Sequence, residues 1–295
     1  MAERRRKPLT RRLIQIYSAL LYNAHLKGFA EGRIYTGPLK SVCVPGLNCY
    51  SCPGAVGACP LGSLQNAVAA SADRPAFYVV GLLLLFGLFL GRVVCGFLCP
   101  FGLLQELLHK IPVKKMKKSP LTRKLSWVKY GILVLFVLAI PAWFAFRRLT
   151  LPAFCKVICP AGTLEGAVLL LLHPANRALR GMIGGLFWWK ISALVLILTA
   201  CVFIFRAFCR FLCPLGALYG LFARLALLGV KVDGERCTDC GACVRVCPMD
   251  IRTVGDRECV HCGSCMDICP TRAISFRAGR IVLRGPEPRE RGMRP

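Results

Sequence analysis

The sequence predicts a mainly α protein: a four-span transmembrane helical domain built as a parallel internal duplication, followed by a small α+β module. Three observations predict it. Of the 295 residues 56% are hydrophobic, and the mean hydropathy of +0.56 lies in the range of membrane proteins. Basic residues stand in short blocks beside apolar runs. Nineteen cysteines fall in repeated patterns instead of being scattered.

Two classes are excluded early. So many cysteines in so long and apolar a chain do not describe a short, polar secreted disulfide scaffold. The formal charge of +26 invites a nucleic-acid reading, but no base-stacking aromatic platform accompanies the cations, so no nucleic acid is expected as a partner. Cytoplasmic flanks of membrane helices account for the charge.

The membrane domain is expected over 1–230. It opens on Arg4, Arg5, Arg6, Lys7, Arg11 and Arg12, which hold the start on the cytoplasmic side. A first span over 13–30 is interrupted by Asn23, His25 and Lys27, and an interfacial amphipathic helix is its rival. It reads as an uncleaved anchor, lacking an A-x-A cleavage site. The second span covers 77–94. Between 110 and 124 lie seven Lys or Arg and no acid, which makes this loop cytoplasmic. The third span, 128–146, carries Pro141, expected to kink it. A short apolar run after Cys159 is better read as re-entrant than as spanning. The fourth span covers 186–205. Trp127, Trp143, Trp188 and Trp189 fit an aromatic belt.

The α+β module is expected over 231–276, with a basic disordered tail at 277–295. Its sequence states one pattern twice, CTDCGACVRVCP and CVHCGSCMDICP. In the bacterial 2[4Fe-4S] ferredoxin pattern, three cysteines at two-residue spacing hold one cluster and the fourth, followed by Pro, ligates the other. Cluster 1 therefore takes Cys237, Cys240, Cys243 and Cys269, and cluster 2 takes Cys259, Cys262, Cys265 and Cys247. Gly241 and Gly263 allow close backbone approach, and Pro248 and Pro270 end the loops. Structural zinc is the alternative for paired Cys-x-x-Cys, but it does not need this run twice. His261 lies inside the second loop and is expected to pack or tune, not to bind metal. His25, His109 and His173 form no haem-binding pair.

The membrane domain repeats as well. Cys-Pro-x-Gly-x-Leu occurs at Cys59, Cys99, Cys159 and Cys213, with partner cysteines upstream at Cys52, Cys95, Cys155 and Cys209. Pro suits the first turn of a helix, whose N-terminus favours a negatively charged cluster. With alternating spans, Cys95, Cys99, Cys209 and Cys213 fall at the inner face as one candidate [4Fe-4S] site. Cys52, Cys59, Cys155 and Cys159 fall at the outer face as another. Disulfides are the alternative for the outer set, where Cys43 and Cys49 add candidates. Cys201 reads as a small buried apolar residue. About 30 Å of hydrocarbon separates the two faces, so the motifs must dip inward or a partner must bridge them.

The order of CGFLCPFG, CRFLCPLG and the doubled ferredoxin run, over most of 77–270, resembles the membrane polyferredoxins of the NapH type, with NosR and CcoG proteins as relatives. The runs around Cys49–Cys59 and Cys155–Cys159 are additional to that pattern. The resemblance implies a multi-pass protein of a prokaryotic cytoplasmic membrane with both termini cytoplasmic. Its implied partners are membrane lipid, a quinol or other redox donor, and a partner oxidoreductase subunit. The expected function is electron transfer between that donor and the partner enzyme, across the membrane. The alternative is a CcoG- or NosR-like redox factor for metal-cofactor assembly or regulation. No catalytic triad, nucleotide loop or substrate pocket is legible, and no independent catalytic site is assigned.

Overall fold

A computed structural model describes residues 8–69, 77–116, 118–181 and 183–285. Two helices among them are long and apolar enough to cross a membrane, Pro120–Phe146 and Gly185–Phe203. Their outer faces present apolar side chains, such as Leu196 at 72% exposure. Within the first, the stretch Leu133–Ala139 widens to a π-helix just before Pro141. The wider turn accommodates the proline ring and its missing N–H, so the expected kink takes the form of a π-bulge.

The other two expected spans are shorter. Phe77–Phe89 has 13 residues, about 20 Å at 1.5 Å per residue, and ends before Gly91 at φ +48. The run 13–30 is not one helix: Pro8–Tyr22 stops, and Leu26–Glu31 begins after a turn. Asn23 breaks it physically, since its side-chain amide donates to Ala19 O and to Asn48 Oδ1, both at 3.0 Å. Arg11 near the helix start is held by Glu106 at 2.6 and 2.8 Å.

Each Cys-Pro motif opens a short helix: Pro60–Ala69, Pro100–Leu108, a helix from Pro160 that includes the π stretch Gly162–Val168, and Pro214–Leu221. Proline sits in the first turn, as expected. The motif glycine has two tasks. Its N–H caps the preceding thiol, as Gly216 N does to Cys213 Sγ at 3.3 Å and Gly162 N to Cys159 Sγ at 3.4 Å. Its missing side chain leaves room for the carbonyl of the upstream cysteine. A Cβ on Gly102 would stand 3.1 Å from Cys95 O, and one on Gly216 3.3 Å from Cys209 O.

The C-terminal module is a three-stranded antiparallel sheet in the order β1 (Leu228–Val232), β2 (Ile274–Ala278), β3 (Ile281–Arg284). Its two cysteine loops are inserted between β1 and β2. Strand β3 falls inside the segment expected to be a disordered tail. It pairs with β2 across a turn with Gly279 at φ +58, and the rest of that tail, 286–295, lies outside the described residues.

The module docks on the helical domain through buried charge pairs. Lys129 Nζ donates to both carboxylate oxygens of Glu258 at 2.5 and 2.6 Å, and Arg92 stands 3.6 Å from the same group. Arg210 pairs with Asp250, which also accepts from Thr122 at 2.7 Å. At Gly96 a Cβ would come within 2.2 Å of Val260 O, so only glycine allows this approach.

Candidate iron-sulfur sites

In the ferredoxin loops the cysteines fall into two groups. Cys237, Cys240, Cys243 and Cys269 line one cavity of about 480 Å³. Cys247, Cys259, Cys262 and Cys265 lie within electrostatic reach of one another. The two loops share a backbone device: Asp239 and His261, each two residues after the first cysteine, take φ +50, and Gly241 and Gly263 take φ +67 and +80. These left-handed turns curl the chain around the thiols. His261 accepts from Val230 N at 3.0 Å through Nδ1, and a Cβ on Gly229 would meet its ring at 2.9 Å. It therefore packs between the loop and β1.

In the helical domain Cys95, Cys99, Cys209 and Cys213 form one group, all between 4% and 7% exposed and mutually within electrostatic reach. A second cavity, of about 460 Å³, is lined by Cys49, Cys59, Cys155 and Cys159. Cys49 stands where Cys52 was expected. Cys52 turns into its own loop, toward the amides of Gly54 and Ala55, and does not line the cavity. Cys49 faces it because its backbone N–H is held by Glu165 Oε2 at 2.7 Å. The cysteines of the outer set are free of disulfides, and so are the remaining ones. Cys201 is buried beside Gln105.

The two groups do not stand at opposite ends of the molecule. Asn48 N–H is directed at Cys59 and the preceding Leu47 N–H at Cys99. One peptide unit, about 3.8 Å between α-carbons, therefore separates the backbone contacts of the two sites. Cys59, Cys95, Cys99, Cys159, Cys209, Cys213 and Cys259 all belong to a single buried core.

All-thiol donor sets suit iron-sulfur clusters. Among the described residues no three His, Cys, Asp or Glu converge on the point a single metal ion would take, where a thiolate would stand at about 2.3 Å. The wider grouping around shared cavities fits a multi-iron cluster. Burial pushes the Cys59 thiol up to about 11 and the Cys247 thiol up to about 12. Holding such sulfurs as thiolates at neutral pH requires the positive charge of bound iron.

Several site residues escaped the sequence reading, although the repeat carries their signal if it is extended. The sixth residue after each Cys-Pro cysteine is Gln65, Gln105, Glu165 or Tyr219. Gln105 donates to Cys209 Sγ at 3.0 Å and accepts from Phe208 N at 3.1 Å. Gln65 does the same one site over, to Cys155 Sγ at 3.2 Å and from Phe154 N at 2.9 Å. Gln105 thus ties the Cys99 motif to the Cys209 motif, and Gln65 the Cys59 motif to the Cys155 motif. Likewise Arg92 and Arg206 stand three residues before Cys95 and Cys209. Arg206 is fully buried; it donates to Cys95 O at 2.5 Å and to Glu106 at 2.6 and 2.9 Å.

Comparison with known proteins agrees with this geometry. A 4Fe-4S binding domain family matches residues 75–119, 130–174 and 186–232, and a second family of the same description matches 230–253 and 254–275. The chain is 34% identical over 55% of its length to an uncharacterized protein of Methanocaldococcus jannaschii, covering 53% of that protein. It is 29% identical over 68% of its length to the putative electron transport protein YccM of Escherichia coli K12, covering 55% of it. Against these two it spans about half of the relative's length. It is 30% identical over 83% of its length to the methylamine utilization ferredoxin-type protein MauN of Methylobacillus flagellatus, covering 77% of it. No solved structure matches. With paired cysteine loops, four Cys-Pro helices and this similarity in hand, the chain belongs to the MauN-like family of ferredoxin-type 4Fe-4S electron-transfer proteins.

Proposed function

We propose that this protein is a membrane-bound electron conduit with four [4Fe-4S] sites in series. The order is Cys237/Cys240/Cys243/Cys269, then Cys259/Cys262/Cys265/Cys247, then Cys95/Cys99/Cys209/Cys213, then Cys49/Cys59/Cys155/Cys159. A bound [4Fe-4S] cluster accepts and releases one electron at a time. The residues of the chain hold the thiols, exclude water and set the charge around each site.

The observation that carries this reading is the continuity of the line. The second ferredoxin loop meets the inner group at the Gly96–Val260 contact, and the inner group meets the outer at Leu47–Asn48. Two helices of spanning length support a place in a membrane, with termini on the cytoplasmic side of a prokaryotic cytoplasmic membrane by the charge bias. A quinol or another redox donor and a partner oxidoreductase complete the reading in its NapH-like form.

The test is anaerobic purification followed by iron and sulfide analysis and EPR. About sixteen irons per chain are expected, four for each site. A count near eight, confined to the ferredoxin loops, would reduce the protein to an anchored two-cluster ferredoxin. Addition of a quinol then asks whether the loaded protein is reduced by it.

A further inference from the structure

Tyr219 takes the place in the fourth Cys-Pro helix that Gln65, Gln105 and Glu165 take in the others. It does a different job. Its side chain is fully buried, and its hydroxyl leaves the helix to donate to Pro45 O at 2.9 Å. It lies within electrostatic reach of Cys95 and Cys99 in the inner group and of Cys59 in the outer.

Pro45 begins the strip of chain whose amides serve both groups. Gly46, Leu47 and Asn48 follow it, all buried. Leu47 N–H points to Cys99 and Asn48 N–H to Cys59. The strip is wedged in place: a Cβ on Gly46 would meet Leu98 O at 3.0 Å and the Cys99 α-carbon at 3.2 Å. At its far end Asn48 exchanges side-chain hydrogen bonds with Asn23 at 3.0 and 3.3 Å.

We infer that the Pro45–Asn48 strip, positioned by the Tyr219 hydroxyl, is the bridge that couples the inner and outer sites, so that the two behave as one interacting pair. This rests on the reading that both sites carry clusters. In the transfer one electron leaves a reduced cluster at the inner thiols, which returns to its oxidised state, and enters an oxidised cluster at the outer thiols, which becomes reduced. No bond is broken and no proton moves.

Full-length protein, purified anaerobically and reduced with dithionite, gives the test by EPR. The expected result is a broadened, fast-relaxing signal from the inner site. It should sharpen when the outer site is emptied by Cys159→Ser, and also in Tyr219→Phe, which retains all the iron but lacks the hydroxyl. Gly46→Ala, which pushes the strip off Cys99, should act in the same direction. If the iron count is full but the inner signal is indifferent to emptying the outer site, the bridge is refuted while the four-site reading stands. If Tyr219→Phe and Gly46→Ala both keep the wild-type relaxation, the strip has no part in the coupling. A wild-type protein without iron at the helical-domain cysteines sinks both readings together.

Discussion

The inner and outer cysteine groups are built from the same motif and solved by the same capped helices, yet their surroundings differ. Around the inner group the chain buries Arg92 and Arg206, at 1% and 0% exposure, and their charge reaches Cys95. Among the described residues no buried arginine lines the outer group. Its closest ionisable partner is Glu165, which accepts from Cys49 N, and Lys190 donates to Cys155 O at 3.3 Å from a partly exposed position. A reduced cluster carries one more negative charge than an oxidised one, so buried cations favour the reduced form. The repeated motif therefore groups the thiols, whereas the residues just outside it are expected to set how readily each site takes an electron. The inner site is expected to titrate at the higher potential.

The largest change that tests this contrast is at the arginines. Arg206→Leu leaves Glu106 buried with Arg11 as its remaining cation. Because Arg11 still pairs both Glu106 oxygens, the loss of stability is expected to fall below the roughly 3–5 kcal/mol of a wholly unpaired buried charge, measured by denaturant unfolding. Glu106→Gln in the same background should restore part of it. Retention of full stability in Arg206→Leu would show that the pair is not a structural tie.

The ligand contrast is next. Cys49→Ser should lower the iron content by about four per chain, while Cys52→Ser should leave it unchanged. The reverse result would return the outer site to the spacing expected from the sequence.

A smaller effect is expected at the glutamines. Gln105→Ala removes a hydrogen bond to Cys209 Sγ and strands the amide of Phe208, costing about 1–3 kcal/mol. It should lower the inner potential by tens of millivolts, on the scale of about 59 mV per tenfold for one electron. Gln65→Ala should move only the outer site by a similar amount. Redox titration monitored by EPR separates them, and a common shift of both sites in either variant would contradict the pairing of each glutamine with its own group.

The grouping of cysteines in the ferredoxin loops could be read from the sequence, because each loop places three of them within seven positions and local geometry does the rest. The grouping of Cys95, Cys99, Cys209 and Cys213 could be read too, from a motif that recurs along the chain. What the sequence could not reveal was tertiary. Cys52 and Cys49 lie three residues apart and both precede Cys59 at plausible spacing; only the Glu165 contact selects Cys49. The depth of the motifs was also hidden, since hydropathy reports the length of an apolar run but not where the helix following it points. The span expected over 13–30 failed at Asn23, whose amide finds Asn48, a partner 25 residues away.

The seam at Gly96 carries one more consequence. Because this residue, next to Cys95, lets Val260 O settle against the helical domain, the C-terminal module is expected to act as a lid that shields the neighbouring sulfur from oxygen. Gly96→Val should lift that lid, and its expected signature is faster bleaching of the cluster absorbance on exposure to oxygen. The fit of two backbones, set by one absent methyl group, would then govern how long the protein keeps its absorbance in air.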